Sequence, residues 1–479
     1  MSEIAMQTES SRLCQFPVLA TTIVLTFLGL LLSSGLQVLD PIVRHDDFPA
    51  LLADPAGYYV KTLYEGRWIN YFWHLRGVIT PSWLNYLVYQ FCWSAFAACL
   101  AVVALGDKGG PWHRIGLALL VALGPSATLM SYWYNTLIPG MVLVALYAWL
   151  STWLSERATR WLLVVFVPLT LLAYTTYPLF LLALCLARAE TRRSFRDLAG
   201  VMALFIGSFA LGMLLIFTFN YFEHGVFGVP MAPWREGNPA HDLASALENF
   251  TRIWGFLKAS AEVQGFGSVP LSLVHVLLLV VSILVVGRRD PWRAAYICCG
   301  ILAGLGLILV QTVKTGIFLP VRVNSFAWAG YVVLLTLMIL QLGEKGGLYK
   351  RMGTNLLRFF VLAYMAGSVQ QALGFTTWQQ QTRAMAAEVG SGDTPVYVTG
   401  TFKSLPGAKE AGIQAARGLR LRLTYLNGRT VFTCEERPEK CADLPDVMLA
   451  DIPSGQVEVH HLADKVVVRL SSQIADADG

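Results

Sequence analysis

Residues 198–222 read LAGVMALFIGSFALGMLLIFTFNYF, an apolar run without a single Asp, Glu, Lys or Arg. About twenty such residues suffice to cross the hydrocarbon of a bilayer as one helix. Working outward with the same window, further runs lie near 16–39, 84–105, 114–130, 137–154, 161–175, 177–187, 268–287, 294–313, 323–342 and 358–375. The expected fold is therefore an α-helical polytopic membrane protein of about 11 spans. The arms 161–175 and 177–187 are short. They lie between basic loops at Glu156-Arg157 and Arg188 and turn near Tyr174-Thr175-Thr176-Tyr177-Pro178, so they form either two spans or a re-entrant hairpin. Irregular backbone at membrane depth is tolerated where it lines a cavity or is buried in protein, which makes the hairpin a candidate floor for a site.

Composition agrees. Of 479 residues, 55% are hydrophobic, 12% aromatic and only 14% charged, above the apolar share of soluble domains. The net charge of +5 is no nucleic-acid signal, because the cations sit in short loops between apolar runs. One set of loops carries Lys108, Arg114, Arg157, Arg160, Arg188, Arg192, Arg193, Arg196, Arg288, Arg289, Arg293, Lys345, Lys350, Arg351 and Arg358, which assigns that side to the cytoplasm. The loops 40–83, 126–136, 223–267 and 314–322 then face outward. Residues 1–15 form a cytoplasmic tail, and the first span is retained rather than cleaved, since its apolar run is longer than a signal-peptide core. An odd number of spans places the C-terminus outside. There is no internal repeat, Walker pattern or Rossmann fingerprint.

From about Thr376 the composition changes: a polar amphipathic stretch at Gln379-Gln380-Gln381-Thr382-Arg383 precedes β-like runs at Pro395–Thr399, Thr430–Thr433 and Lys465–Leu470. Residues 376–479 are expected to form a small soluble α/β domain, exported with the C-terminus. Cys434 and Cys441 enclose a short loop there, and an exported pair at that spacing is expected to be a disulfide. Cys14, Cys92, Cys99, Cys185, Cys298 and Cys299 lie in or beside spans and read as packing residues without metal-ligand spacing.

Chemistry concentrates in the first outer loop. Arg44-His45-Asp46-Asp47-Phe48 follows the first span, and Glu65-Gly66-Arg67-Trp68 comes some twenty residues later. Asp54 and Pro55 suit a helix start, and a helix after them would set Tyr64, Arg67, Tyr71 and His74 on one face. Tyr58, Tyr59, Trp68, Phe72 and Trp73 suit a helix lying in the headgroup layer. Arginine donates in a bidentate way to phosphate oxygens, so Arg67 is a candidate phosphate ligand as well as a candidate snorkelling residue. Arg322 and Lys314, at the mouth of two spans, are further phosphate candidates. A carboxylate of the Asp46-Asp47 pair can accept a proton from a hydroxyl, while its neighbour orients it, binds a sugar hydroxyl or ligates a divalent metal such as Mg or Mn. Adjacent residues of an extended segment point to opposite faces, so one acid does the proton transfer, and Asp46 is assigned to it. In the loop 223–267, Trp234 and Arg235 suit a sugar-binding surface, and Asn249-Phe250-Thr251 matches a glycosylation acceptor pattern. His275, the one ionisable residue well inside a span, reads as a neutral histidine bonded across helices.

The outward Asp46-Asp47 pair, Gly66-Arg67-Trp68 on a following interfacial helix, the many spans and the exported C-terminal domain together resemble the GT-C class of membrane glycosyltransferases, most closely the Gtr-type, serotype-converting O-antigen glucosyltransferases. The likeness covers roughly residues 16–375. It implies transfer of a hexose, glucose in that family, from a polyprenyl-phosphate carrier to a glycan hydroxyl on the periplasmic face of a bacterial inner membrane. It also implies a base at Asp46 or Asp47, Arg67 near the donor phosphate, and inversion at the anomeric carbon. Substrate contacts would come from Trp68, Tyr64, Tyr71, His74, Trp234 and Arg235. Partners are a polyprenyl-phosphate-linked sugar, a glycan or lipid-linked acceptor, and membrane lipid. Rival readings are a pentosyl- or aminosugar-transferase acting on lipid A or a pilin, a flippase or carrier for lipid-linked sugars, and an assembly scaffold.

Overall fold

The computed structural model describes residues 2–189, 191 and 193–474, with side chains from residue 16 onward, so the expectations for Cys14 and Arg192 lie outside it. The chain opens with helices α1 (Ser2–Ser34), α2 (Leu36–Leu39), α3 (Ala56–Glu65), α4 (Trp68–His74) and α5 (Ser82–Leu105). There follow α6 (Pro111–Ala122), α7 (Pro125–Ser131), α8 (Tyr134–Trp153), α9 (Glu156–Ala173), α10 (Tyr177–Ala187) and α11 (Phe195–His224). Then come α12 (Leu243–Gln264), α13 (Val269–Arg289), α14 (Pro291–Thr315), α15 (Ser325–Gly343), α16 (Gly347–Leu373) and α17 (Thr376–Val389). The boundaries follow local chemistry. Ser194 accepts from the Asp197 N–H at 3.2 Å to open α11, and Asp242 and Ser245 form a reciprocal capping box on α12. Left-handed glycines, Gly225 and Gly316, close α11 and α14.

Among the described residues eight helices are long and apolar enough to cross a membrane, and a ninth is added if α6 and α7, bent by 57° at their junction, count as one span. The other two of the eleven expected windows are α9 and α10. α9 carries Glu156, Arg157 and Arg160 in its first turns. α10 has 11 residues, about 16 Å of helix against a hydrocarbon core of roughly 30 Å, and is buried almost throughout, packed by α8, α9, α14 and α15. Its shortness is tolerated because protein, not lipid, surrounds it.

Two compact units emerge. The first holds the residues up to Ser33, Pro55–Arg76 and Leu87–Ser368; the second holds Ser34–Asp54, Gly77–Tyr86 and the chain from Val369. The division does not follow the single cut expected at residue 375, and it splits the loop 40–83 between the units.

In the first unit the polarity of the helices is inverted relative to a soluble protein. Along α13, Ser272, His275 and Ser282 are buried, while Leu273, Val276, Leu277, Val280 and Leu284 are exposed. The apolar face is that of a helix solvated by lipid. The bend between α6 and α7 has a local cause. Pro125 follows Gly124, and the break frees carbonyls near the end of α6. Trp328 donates its indole N–H to Leu120 O at 2.7 Å, and Trp93 donates to Ala122 O at 3.2 Å. A Cβ at Gly124 would collide with the Trp328 indole, so only glycine admits the ring. His275 bonds across helices: Tyr364 donates to Gln264 O at 2.6 Å, so its oxygen accepts from His275 Nε2 at 2.7 Å, and Nδ1 then accepts from Tyr331 at 2.8 Å.

The second unit contains a four-stranded sheet of order β2-β1-β4-β3, with β1 (Val396–Thr399), β2 (Val431–Thr433), β3 (Val457–His461) and β4 (Val466–Leu470). β1 runs parallel to both β2 and β4, and β3 pairs antiparallel with β4. The three expected runs are β1, β2 and β4; β3 is additional, a half-exposed edge whose Val457-Glu458-Val459 alternation is short. α17 and α19 (Ala416–Asn427) pack on the sheet, and the Cys434–Cys441 disulfide closes a seven-residue separation beside Leu444 and Val467. Cys92, Cys99, Cys185, Cys298 and Cys299 are free thiols. The segment after α2 is tied into this unit by Asp40. Its carboxylate accepts both Nη groups of Arg422 at 2.8 and 2.5 Å and Nε of Arg383 at 3.0 Å, and Gln379 donates to its carbonyl.

Arg422 is 3% exposed and Arg383 55% exposed, which separates their contributions. Arg422→Met removes both Nη bonds from a carboxylate that is only 12% exposed, leaving it the exposed Arg383, and is expected to cost roughly 2–4 kcal/mol, whereas Arg383→Met costs less than about 1 kcal/mol. Thermal unfolding of the detergent-solubilised variants checks the ranking.

Candidate functional site

The sequence expectation of one helix carrying Tyr64, Arg67, Tyr71 and His74 on a single face is not met. Gly66 adopts φ +69° and its N–H bonds the carbonyls of Lys61 and Thr62, so α3 stops there and α4 begins beyond Arg67. A Cβ at Gly66 would also press on the Ile216 side chain, at 2.9 Å. α3 is entered from Pro55, as the Asp54-Pro55 helix start leads one to expect. Tyr64 therefore belongs to one helix and Tyr71 and His74 to the next.

The break aims Arg67 at two partners. Its Nη2 lies 2.7 Å from Glu65 Oε2, and its guanidinium sits 4.9 Å from the ring centre of Tyr174, in the turn between α9 and α10. The hairpin thus supplies a floor beneath Arg67. Arg235 reaches the other Glu65 oxygen at 3.1 Å, so one carboxylate, 11% exposed, joins two guanidinium groups. Beside them Tyr64 meets Trp234 edge-on at 5.2 Å, and Trp234 is 56% exposed.

α4 is fixed from below. Trp68 is buried against Leu171, Leu172 and Ile216 and donates to Asn220 Oδ1 at 3.0 Å. Asn220 in turn donates to Leu63 O at 3.1 Å and Gly228 O at 2.6 Å, and Asn70 donates to Ala173 O at 3.1 Å. Trp68, expected to face substrate, is instead the anchor of the helix. Tyr71 packs on Tyr59, and His74 stacks on Tyr58 at 3.9 Å. Thr62 and His224 Nε2 lie 2.7 Å apart, and Tyr59 donates to Glu223 at 3.3 Å. Glu65, Tyr174 and Asn220 do not stand out in the sequence as site residues. Glu65 has one signal there, its place beside Gly66-Arg67; Tyr174 and Asn220 come close only through the fold.

The other cations stand elsewhere in this unit. Arg322 covers the ring of Trp133 at 3.8 Å, and Lys314 is exposed in the last turn of α14, its carbonyl accepting from Ala240 N–H at 3.1 Å. Asn249 is buried and its amide donates to Asn238 O and Val313 O, so the glycosylation pattern at Asn249 is closed to a glycan.

The acidic pair belongs to the second unit. Residues 45–47 form a turn, not the expected extended segment. Even so, the two acids separate: Asp46 is 40% exposed with His45 Nε2 at 3.5 Å, and Asp47 is fully buried ahead of the turn Phe48–Ala50. Arg44 donates to the carbonyls of Ala411 and Gly412, at the end of α18 (Pro406–Glu410), at 2.9 and 2.7 Å. Among the described residues no group of three or more His, Cys, Asp and Glu side chains is placed to hold a metal ion.

No family model, curated protein or solved structure matches this chain.

Burial, with Arg76 and Lys61 adding to it, pushes the His74 imidazole down to about 3 from its ordinary 6.5. Between those values the unfolded chain holds a proton that the folded one does not, so stability falls as pH drops, by about 1.4 kcal/mol per unit at most. His74→Phe keeps a ring on Tyr58 and removes the titration. Its loss of stability between pH 6.5 and 4 should be smaller than the wild type's by roughly 1–3 kcal/mol in thermal unfolding.

Proposed function

We propose that this chain transfers a sugar, a hexose in the first instance, from a polyprenyl-phosphate carrier to a hydroxyl of a glycan acceptor on the exported face of a membrane. The observation that carries this reading is the pair of guanidinium groups, Arg67 and Arg235, held on the single carboxylate of Glu65 beside Tyr64 and Trp234. Arg235 is a third exposed, and Glu65 takes one of its donors. Guanidinium groups fixed in this way suit phosphate oxygens, and their charge favours the phosphate that departs as the glycosidic bond breaks. An exposed tryptophan suits the apolar face of a pyranose, with polar groups meeting its rim. The base role is proposed for Asp46 from its place in the sequence after the first span, and it is the solvent-accessible member of its pair. The departing phosphate and the attacking oxygen use opposite faces of the sugar, so the product anomer is inverted.

The test is incubation of the purified protein with a panel of polyprenyl-phosphate sugars, following loss of each donor and the anomeric form of the product. One donor should be consumed with inversion. Arg67→Lys, which keeps the charge and loses the fork, should slow transfer by roughly 10²-fold, and Asp46→Asn by roughly 10²–10⁴-fold. Consumption of no donor, together with movement of lipid-linked sugar across vesicles containing the protein, would replace the transferase with a carrier.

A further inference from the structure

At the end of the first unit that bears its basic loops, the starts of α9 and α11 line a cleft of about 750 Å³. Its lining is charged at the helix starts and apolar further along them: Arg157, Arg160 and Arg196 with Glu156 and Asp197, then Trp161, Val201 and Leu204. That volume is in the range of ligand-binding clefts.

The arginines at this end divide into two groups. Arg160 is neutralised where it stands, by Glu156 and by both oxygens of Asp197. Arg188 donates to the carbonyls of Ser151 and Leu154 at 3.0 and 3.1 Å, Arg193 pairs with Asp290 at 3.0 Å, and Arg293 is bonded to Ala104 O. These four hold the helix ends together. Arg157 and Arg196 do not: both are exposed, and among the described residues neither has an ion pair or a side-chain hydrogen bond. They flank the cleft from α9 and α11 respectively.

Below them the cleft continues onto a lipid-facing surface. Trp161 is 60% exposed and Val165, one turn along α9, 53% exposed, with Ile206 exposed on α11. Gly200 lines the cleft, and a Cβ there would meet nothing within 4 Å, so the space is open at that point. Two exposed guanidinium groups, without a pair among the described residues, above an exposed tryptophan and a strip of aliphatic side chains match one kind of occupant, a lipid with an anionic headgroup.

We propose that this cleft binds an anionic phospholipid, with the phosphodiester against Arg157 and Arg196 and an acyl chain along Trp161 and Val165. The site is separate from the Glu65 cluster and does not depend on the sugar-transfer reading. A zwitterionic lipid gains less there because its own ammonium opposes the arginines, and free phosphate lacks the acyl chain.

Native mass spectrometry of the delipidated protein, titrated with phosphatidylglycerol, phosphatidylcholine or inorganic phosphate, tests this. Phosphatidylglycerol should be retained in preference to phosphatidylcholine. The Arg157→Gln/Arg196→Gln double variant should lose that preference by roughly tenfold or more. Gly200→Phe, which fills the cleft and removes neither charge, should also lower phosphatidylglycerol retention. Equal retention of both lipids by the wild type, retention unchanged in both variants, or displacement of the lipid by inorganic phosphate at matching concentration would each overturn the proposal. Unchanged thermal unfolding of the variants shows that any loss is local.

Discussion

Every backbone polar group at membrane depth has to find a partner inside the protein, and the first unit is arranged around that requirement. Where a helix runs unbroken the ladder meets it. Where Gly124 and Pro125 break the ladder, two indole N–H groups take over, Trp328 on Leu120 O and Trp93 on Ala122 O. The same rule governs α10. A helix of 11 residues leaves its ends short of the bilayer surface, and it persists because α8, α9, α14 and α15 enclose it. Irregular backbone is thereby moved inward, and its turn, Tyr174–Thr176, becomes available as the support for Arg67.

That support links local structure to the candidate site. Gly66 ends α3 in a conformation that a side chain would strain, against Ile216. The reversal puts Arg67 over Tyr174 and brings Trp68 down into the hydrophobic layer of Leu171, Leu172 and Ile216. One glycine therefore sets a charged group and a hydrophobic anchor on neighbouring residues with opposite destinations. Asn220 completes the arrangement by accepting from the Trp68 indole and donating to carbonyls on both sides of it.

Much of the helical architecture was legible because apolar length is a one-dimensional signal. The windows at 198–222, 268–287 and 294–313 lie inside single helices, and the strands at Val396–Thr399 and Val466–Leu470 follow their valine runs. The Cys434–Cys441 pair was legible for a similar reason, since both partners lie on one short loop. What escaped depends on groups far apart in the chain. Asp40 meets Arg422 and Arg383 across more than three hundred residues, and Glu65 meets Arg235 across 170. Periodicity also failed at Gly66, where the helical repeat of Tyr64, Arg67, Tyr71 and His74 continues through a position at which the backbone reverses.

The Glu65 cluster has an electrostatic consequence that bears on the proposed chemistry. Three ionised groups lie close together, with Arg67 13% and Glu65 11% exposed, and Glu65 lies against both guanidinium groups. Desolvating such a set costs more than the attraction within it returns unless further polar groups complete it. Two guanidinium groups at a partly closed position suit an anion that can lie against them. A phosphate in that position would bring oxygens to both arginines and relieve their mutual repulsion, and Glu65 would keep them oriented when the phosphate leaves. A carrier lipid's phosphate fits that role better than a soluble sugar phosphate, because α3 and α4 are rich in exposed aromatic and aliphatic side chains, Val60, Phe72 and Trp73 among them, which suit the edge of a bilayer.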